Sequence, residues 1–354
     1  MKEYCPERVK TRQIFVGDVG IGSDHPIPVQ SMTNTDTRDV KATVSQIKEL
    51  EEAGCEIIRV AVPDMEACTQ LSNIIEEINI PLIADIHFDY RLALEAINQG
   101  VDGLRINPGN IGSRERVEQV VKKAAEGQTP IRIGVNAGSL DEDLLDKYGG
   151  ATPEAMVESA ARHVEILEEL GYREIKISLK ASDVMRTVKA YQLASQRFPY
   201  PLHLGITEAG SPGMGTIKSA VGIGSILQQG IGDTIRVSLT GDPVEEVKVG
   251  WQILKSLNLR QRGVEIISCP TCGRCEIDLE SILKEVEEKT KDIESPLKLA
   301  VMGCVVNGPG EAREADLGIA GGKGMGLIFK SGEVLKKVSE EELVNQFYKE
   351  LKNI

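Results

Sequence analysis

A single alternation constrains this chain more than any other feature. Short runs rich in β-branched residues begin at Pro28 (PVQSMT), Ile57 (IIRVAV), Pro81 (PLIADI), Gly103 (GLRIN), Ile131 (IRIGV), Ile175 (IKISL), Leu202 (LHLGIT) and Thr234 (TIRVSL). Stretches with helical spacing lie between them, such as Val40–Ala53 and Pro153–Leu170. Thr152 before Pro153 reads as an N-cap followed by an N1 proline, and Gly171 as a helix stop. Strand–helix alternation repeated eight times points to a TIM (β/α)8 barrel, with a doubly wound open sheet as the competing arrangement. The longest interval, 44 residues between the fifth and sixth runs, holds an extra loop, Gly138–Gly150. In a barrel that loop falls on the face where chemistry sits.

The alternation stops near Gly263. Residues 1–265 are therefore expected to form the barrel, and residues 266–354 a second, small α+β domain. Its expected elements are a helix over Asp278–Thr290, a strand over Leu297–Cys304, a hairpin around Gly318–Val338 and a last helix opened by a Ser339-x-x-Glu342 capping box. A unit of that size gains from docking or a metal centre.

Strand side chains alternate, and in a barrel one parity must be apolar to meet the helices. The polar parity then faces inward. It carries Arg59; Asp85 with His87; Arg105 with Asn107; Arg132 with Asn136; Lys176, Ser178 and Lys180; His203 and Thr207, next to Glu208; and Arg236 with Ser238. Six cations, Arg59, Arg105, Arg132, Lys176, Lys180 and Arg236, converge on one interior. Like charges at close range repel and lose hydration, so such a cluster calls for an anion. Guanidinium forks match phosphate oxygens. The expected ligand is a small phosphorylated or diphosphorylated molecule. The competing reading pairs some of these cations with carboxylates deeper in the barrel or at its rim.

The chain as a whole is acidic, with a formal net charge of −13 over 354 residues. That argues against nucleic acid or an anionic membrane as a partner. Met1–Arg12 is charged and lacks an apolar core, so no signal peptide is expected, and no apolar run approaches the ~18 residues of a membrane helix. A reducing, cytoplasmic compartment is expected.

Seven cysteines fit that compartment better than a disulfide framework. Cys5, Cys55 and Cys68 stand apart, whereas Cys269, Cys272 and Cys275 form a C-x2-C-x2-C run, followed by Cys304 and the turn VVNGPGE ending at Glu311. Thiolates in such spacing hold zinc or an iron–sulfur cluster. A zinc ribbon would want a second C-x2-C or a histidine pair, and no histidine follows His203. The iron–sulfur reading is therefore the main expectation.

The stretches VQSMTNTDTRD, PLIADIHFDYRLAL, LRINPGNIG, IRIGVNAGSL, LHLGITEAG, SCPTCGR and GCVVNGPGEA together resemble the IspG/GcpE family, the 4-hydroxy-3-methylbut-2-enyl diphosphate synthases of the non-mevalonate isoprenoid pathway. The resemblance runs from Val29 to Ala312. It implies a TIM barrel followed by a 4Fe–4S domain. It also implies reductive ring opening of 2-C-methyl-D-erythritol 2,4-cyclodiphosphate, with loss of water. The family's ligand positions fall here on Cys269, Cys272, Cys304 and Glu311, which leaves Cys275 as a competing fourth ligand. A carboxylate binds iron more weakly than a thiolate, which favours Glu311 at an exchangeable position. The resemblance places the diphosphate against Arg59, Arg105, Arg132, Lys176, Lys180, Arg236, Asn107, Asn136 and Ser238. Asp85 and His87 would orient substrate or water, and Glu208 would deliver the proton to the leaving hydroxyl. It implies a flavodoxin or ferredoxin donor, and a homodimer in which each cluster domain caps the partner's barrel. Two other readings remain: a pterin- or phosphate-binding barrel transferase with a zinc-stabilised tail, and a non-enzymatic iron–sulfur electron carrier.

Overall fold

The structure is a computed structural model that describes residues 6–291, 293–304, 310 and 312–354. The chain divides into two compact units, one ending at Arg260 and the other beginning at Gln261.

The first unit opens with an antiparallel hairpin, β1 (Ile14–Val16) and β2 (Val19–Ile21), that the alternation did not announce. Six parallel strands follow in sequence order: β3 (Gln30–Met32), β4 (Ile57–Ala61), β5 (Leu82–Asp85), β6 (Gly103–Arg105), β7 (Ile131–Asn136) and β8 (Ile175–Lys180). A parallel pair, β9 (His203–Leu204) and β10 (Thr234–Ile235), completes the set of eight. Single bridges join β8 to β9 (Ile177 to Leu202) and β10 back to β3 (Ile235 to Val29), so the sheet closes on itself. This is the expected TIM barrel.

Parity is kept all the way round. Ile58 and Val60, Leu82 and Ala84, Leu104, Ile131 and Ile133, Ile175 and Ile177, Leu204 and Ile235 all join the apolar layer between sheet and helices. The intervening residues point inward. At the floor Ile57 and Ile83 pack on Ile14, Val16 and Ile21, so the hairpin seals one end of the barrel. An N-terminal strap is fixed beside it, where Arg8 pairs with Asp233 at 2.6 Å and Thr11 donates to the same carboxylate oxygen.

The helices obey local rules. Helix Pro153–Glu169 starts with Thr152 Oγ1 accepting from the Ala155 amide at 3.2 Å, and Gly171 leaves it at φ +76°. The expected extra loop after β7 is largely helical: a short turn at Ala137–Ser139 precedes helix Glu142–Tyr148. Asp141 before that helix and Gly149 after it, at φ +69°, bound the segment.

The second unit is a five-stranded sheet, β11 (Val264–Ser268), β12 (Leu297–Met302), β13 (Leu317–Gly322), β14 (Met325–Lys330) and β15 (Glu333–Ser339). β11 and β12 are parallel, as are β12 and β13, while β13 to β15 form an antiparallel meander. The expected hairpin is thus three strands, and β11 was not expected at all. Half-buried on both faces, β11 lacks the alternation that marks a strand. Helices Leu279–Thr290 and Glu340–Leu351 bury Leu279, Val286, Leu343 and Phe347 against Leu299, Val301 and Ile319. Ser339 does precede the last helix, but its hydroxyl makes no capping bond to the backbone. It donates to the Glu342 carboxylate at 3.4 Å instead.

Candidate active site

A pocket of roughly 180 Å³ opens among the barrel strands, lined by Arg59, Asp85, His87, Arg105, Arg132, Asn136, Lys180, Thr207, Arg236 and Ser238. These residues come from seven strands or from the turns just beyond them, with Arg59 midway along β4 and Arg132 near the start of β7. The register explains which ones reach it. Asp85, Arg105, Arg132 and Lys176 are consecutive partners across β5 to β8. Strands in a barrel tilt, so a register row descends along the axis as it passes from strand to strand. The row lies at the pocket on β5 and below it by β8. Lys176 is therefore beneath the pocket, and Lys180, four residues further along, lines it.

The pocket's charge is strongly unbalanced. Among the described residues Asp85 is its one lining carboxylate, and it lies 3.3 Å from Arg105 and 3.6 Å from Arg59. Burial alone would raise its pKa, but Arg59, Arg105 and Arg132 hold it below the ordinary carboxylate range. Sequence reasoning missed Glu246, which reaches in from helix Pro243–Ser256. It accepts from Ser31 and from the Leu239 amide, and sits 3.5 Å from Arg236. Helical spacing presents Glu246 as an ordinary first-turn acid; its burial at 5 % exposure is what reveals it.

Several of these cations are incompletely matched. Arg59 directs Nε and Nη2 at the Met32 sulfur, a weak acceptor. Burial, then repulsion from Arg236 and Arg105, pulls its pKa down to about 10 against the pull of Asp85. Arg132 gives Nη1 to Ser178, while its Nε and Nη2 are buried without a partner. Its pKa is likewise pressed down by burial and by Arg59 and Arg105. The Nε atoms of Arg105 and Arg236 are buried and unpaired too. Buried donors of this kind cost about 1–3 kcal/mol each when unsatisfied, more when charged. Their convergence marks an anion site.

The lysines differ from the arginines because they can give up their charge. Lys180 Nζ is 3.4 Å from Nε2 of the fully buried His203, whose Nδ1 is 2.6 Å from the Thr234 hydroxyl. Burial and the neighbouring cations lower both pKa values. His87 is exposed, and its ring nitrogen lies 3.0 Å from Arg105 Nη1. A guanidinium only donates, so His87 faces it as neutral imidazole. Burial and the same arginines lower its pKa, with Asp85 opposing.

Besides Lys176, two expected site residues have other places. Asn107 commits its amide to Gly134, donating to the carbonyl at 3.0 Å and accepting from the N–H at 2.8 Å, and does not line the pocket. It braces β6 against β7 beside Arg105, which itself donates to the Gly134 carbonyl. Glu208 follows Thr207 beyond β9, exposed and outside the pocket lining. Its φ of +51° is a left-handed conformation that a glutamate adopts only under constraint.

In the second unit Cys269 is half-buried, Cys272 exposed and Cys304 buried. The Gly303 N–H donates to Cys269 Sγ at 3.1 Å. A Cβ at Gly303 would lie 2.6 Å from Cys275 Sγ and 3.6 Å from Cys269 Sγ, so the two sulfurs converge over a glycine that leaves them room. Cys275 Sγ donates to the Ile277 carbonyl at 3.3 Å. Among the described residues, no three Cys, His, Asp or Glu side chains already stand in metal-binding geometry. Glu311 lies outside the described residues, as does Cys5. A backbone N–H aimed at the Cys269 sulfur, with the Cys275 sulfur close by, is donor chemistry that suits a thiolate-held cluster.

Solved structures with the same barrel include dihydropteroate synthase from Xanthomonas albilineans in complex with 7,8-dihydropteroate, at TM-score 0.52 and 14 % identity over 70 % of this chain and 97 % of that one. The Yersinia pestis dihydropteroate synthase matches at TM-score 0.51 and 12 % identity, with the same coverage. At those identities the likeness shows the fold alone. Sequence relatives are far nearer. The 4-hydroxy-3-methylbut-2-en-1-yl diphosphate synthase (flavodoxin) of Clostridium perfringens is 62 % identical over 98 % of this chain and 99 % of its own length. The protein of the same name from Geobacter sulfurreducens is 62 % identical over 98 % of both. The GcpE TIM-barrel domain matches residues 11–251, and the GcpE protein C-terminal domain matches residues 265–353. With both domain types matched in order over nearly the whole chain, the protein belongs to the GcpE family.

Proposed function

We propose that this chain is an iron–sulfur oxidoreductase that opens 2-C-methyl-D-erythritol 2,4-cyclodiphosphate to 4-hydroxy-3-methylbut-2-enyl diphosphate, with flavodoxin as electron donor. The observation that carries the reading is the set of buried, unpaired guanidinium nitrogens converging on one pocket in a member of this family. In this reading the first unit, ending at Arg260, binds the substrate and the second, from Gln261, holds the cluster.

Arg59, Arg105, Arg132, Lys180 and Arg236 bind the diphosphate, with Asn136 and Ser238 adding neutral hydrogen bonds. Asp85 sets the angle of Arg59 and Arg105 by pairing with both. His87, held neutral beside Arg105, orients the polar end of the substrate. Glu208 delivers the proton to the departing hydroxyl from its left-handed turn beyond β9. Cys269, Cys272, Cys304 and Glu311 hold a 4Fe–4S cluster, which when bound supplies electrons one at a time and a Lewis-acidic iron.

Anaerobic turnover of the cyclic diphosphate with reduced flavodoxin tests the reading, and a chain that consumes none of it refutes it. In the same assay Glu208→Gln is expected to bind substrate as before and to turn over about 10²–10⁴-fold more slowly. Unchanged turnover would remove Glu208 from the proton path. Iron counting settles the ligand set. Cys275→Ala is expected to keep its full iron, whereas Glu311→Ala loses iron on exposure to a mild chelator. The reverse pattern would make Cys275 the fourth ligand.

A further inference from the structure

Lys176 is 1 % exposed, and its Nζ has no hydrogen-bond partner. It sits one register step from Arg132 and one layer below the pocket. An ammonium there has no counter-ion in contact, and an amine there has no work in the empty barrel. The reaction supplies a reason for it. Each phosphorus of the cyclic substrate bears one ionised oxygen, so the ligand enters as a dianion. Ring opening breaks a carbon–oxygen bond and leaves the oxygen, with its electron pair, on the diphosphate. The terminal phosphate then has a second ionisation near pH 6, so above that pH the product is a trianion. The full balance is the cyclic dianion plus two electrons and one proton giving the open trianion and water. The fixed arginine charges cannot adjust to that change, whereas a lysine can, and Lys180 in the lining is already committed to the ligand.

We propose that Lys176 is a charge-matching residue that stays neutral beneath the cyclic dianion and takes up a proton when the ring-opened trianion forms above it. This rests on the reading that the pocket takes the cyclic diphosphate. The groups that face Lys176 poise it for the task. Arg132 on β7 and Arg59 on β4 repel a proton there, His203 on β9 lies among the same cations, and Asp233 at the start of β10 favours one. Burial first, and then Arg132 and Arg59, bring its pKa down to about 7. The cyclic dianion offsets only part of that repulsion, and the third charge of the open diphosphate, seated on Arg132, offsets more of it and draws the proton to Lys176. Lys176 is then a positioning residue that tunes the pocket without touching the ligand.

Isothermal titration of the anaerobic holoenzyme at pH 8, in two buffers of different ionisation enthalpy, tests this. Wild type is expected to take up about one more proton with the open diphosphate than with the cyclic one. In Lys176→Met that excess disappears, and affinity for the open diphosphate falls about tenfold while affinity for the cyclic one stays within about twofold. Lys176→Arg, permanently charged, also loses the excess but keeps the open-diphosphate affinity, which separates charge from packing. For wild type the excess shrinks as pH falls below 7, where the amine is already protonated. An undiminished excess in Lys176→Met overturns the proposal. If neither diphosphate binds wild type, the functional reading itself has failed.

Discussion

Arg132→Met is expected to disable the enzyme and strengthen the fold. The guanidinium is 3 % exposed, with two nitrogens unpaired and Arg59 and Arg105 as close like charges. In the empty barrel its charge is a burden, and replacing a buried ion with an apolar side chain of similar length commonly stabilises by about 1–4 kcal/mol. For a unit of this size that is a rise in Tm of roughly 2–4 °C per kcal/mol. The bound diphosphate, by contrast, loses one of its central partners. Truncating a buried charged contact costs about 2–5 kcal/mol, which is about 30- to 4,000-fold in kcat/KM. Melting curves without ligand and steady-state kinetics with it would check both halves. A variant that melts below wild type would mean that Arg132 is a structural partner rather than a waiting one.

Asp85→Asn is expected to do the opposite. The change keeps the shape and removes the one carboxylate lining the pocket, leaving Arg59 and Arg105 without their counter-charge. Stripping one partner from a buried pair destabilises by about 3–5 kcal/mol. The sign with pH is fixed. Asp85 titrates below its unfolded value, so its contribution is fully present above the unfolded pKa of about 4 and disappears as pH falls through the depressed one. Wild type and variant therefore converge in acid and separate at neutral pH. Millimolar inorganic pyrophosphate is expected to restore most of the lost Tm, because an anion in the pocket replaces the missing charge. Equal melting at pH 7, or no rescue, would show that Asp85 is not the counter-ion of this pocket.

The barrel was legible because parallel strands covered by helices must be apolar on one parity, and the other parity stood out as Arg, Lys, Asp and His. What was not legible depended on height and on distant segments. Lys176 and Lys180 share a strand and a parity, and only their height in the barrel, set by the register with neighbouring strands, separates the amine beneath the pocket from the one that lines it. Asn107 has the same parity as Arg105, but the Gly134 backbone on the next strand claims its amide. Glu246 counts as a helix acid until the fold carries it under Arg236. The hairpin β1–β2 is three residues per strand, too short for a period to register. In the second unit the cysteine run was plain, whereas β11 was hidden by its half-exposed, unpatterned side chains.

The way the barrel closes carries a last consequence. β9 and β10 are two residues each, and single bridges attach them to the six-stranded sheet on either side. Yet this thinly laced arc holds Thr207, Arg236 and Ser238, and it faces Lys180 through His203. Arg59, Arg105 and Arg132 stand on the firmly paired arc opposite. In the function proposed above, a diphosphate gripped from both sides would span the seam and tie the loose arc to the firm one, a clasp as much as a substrate.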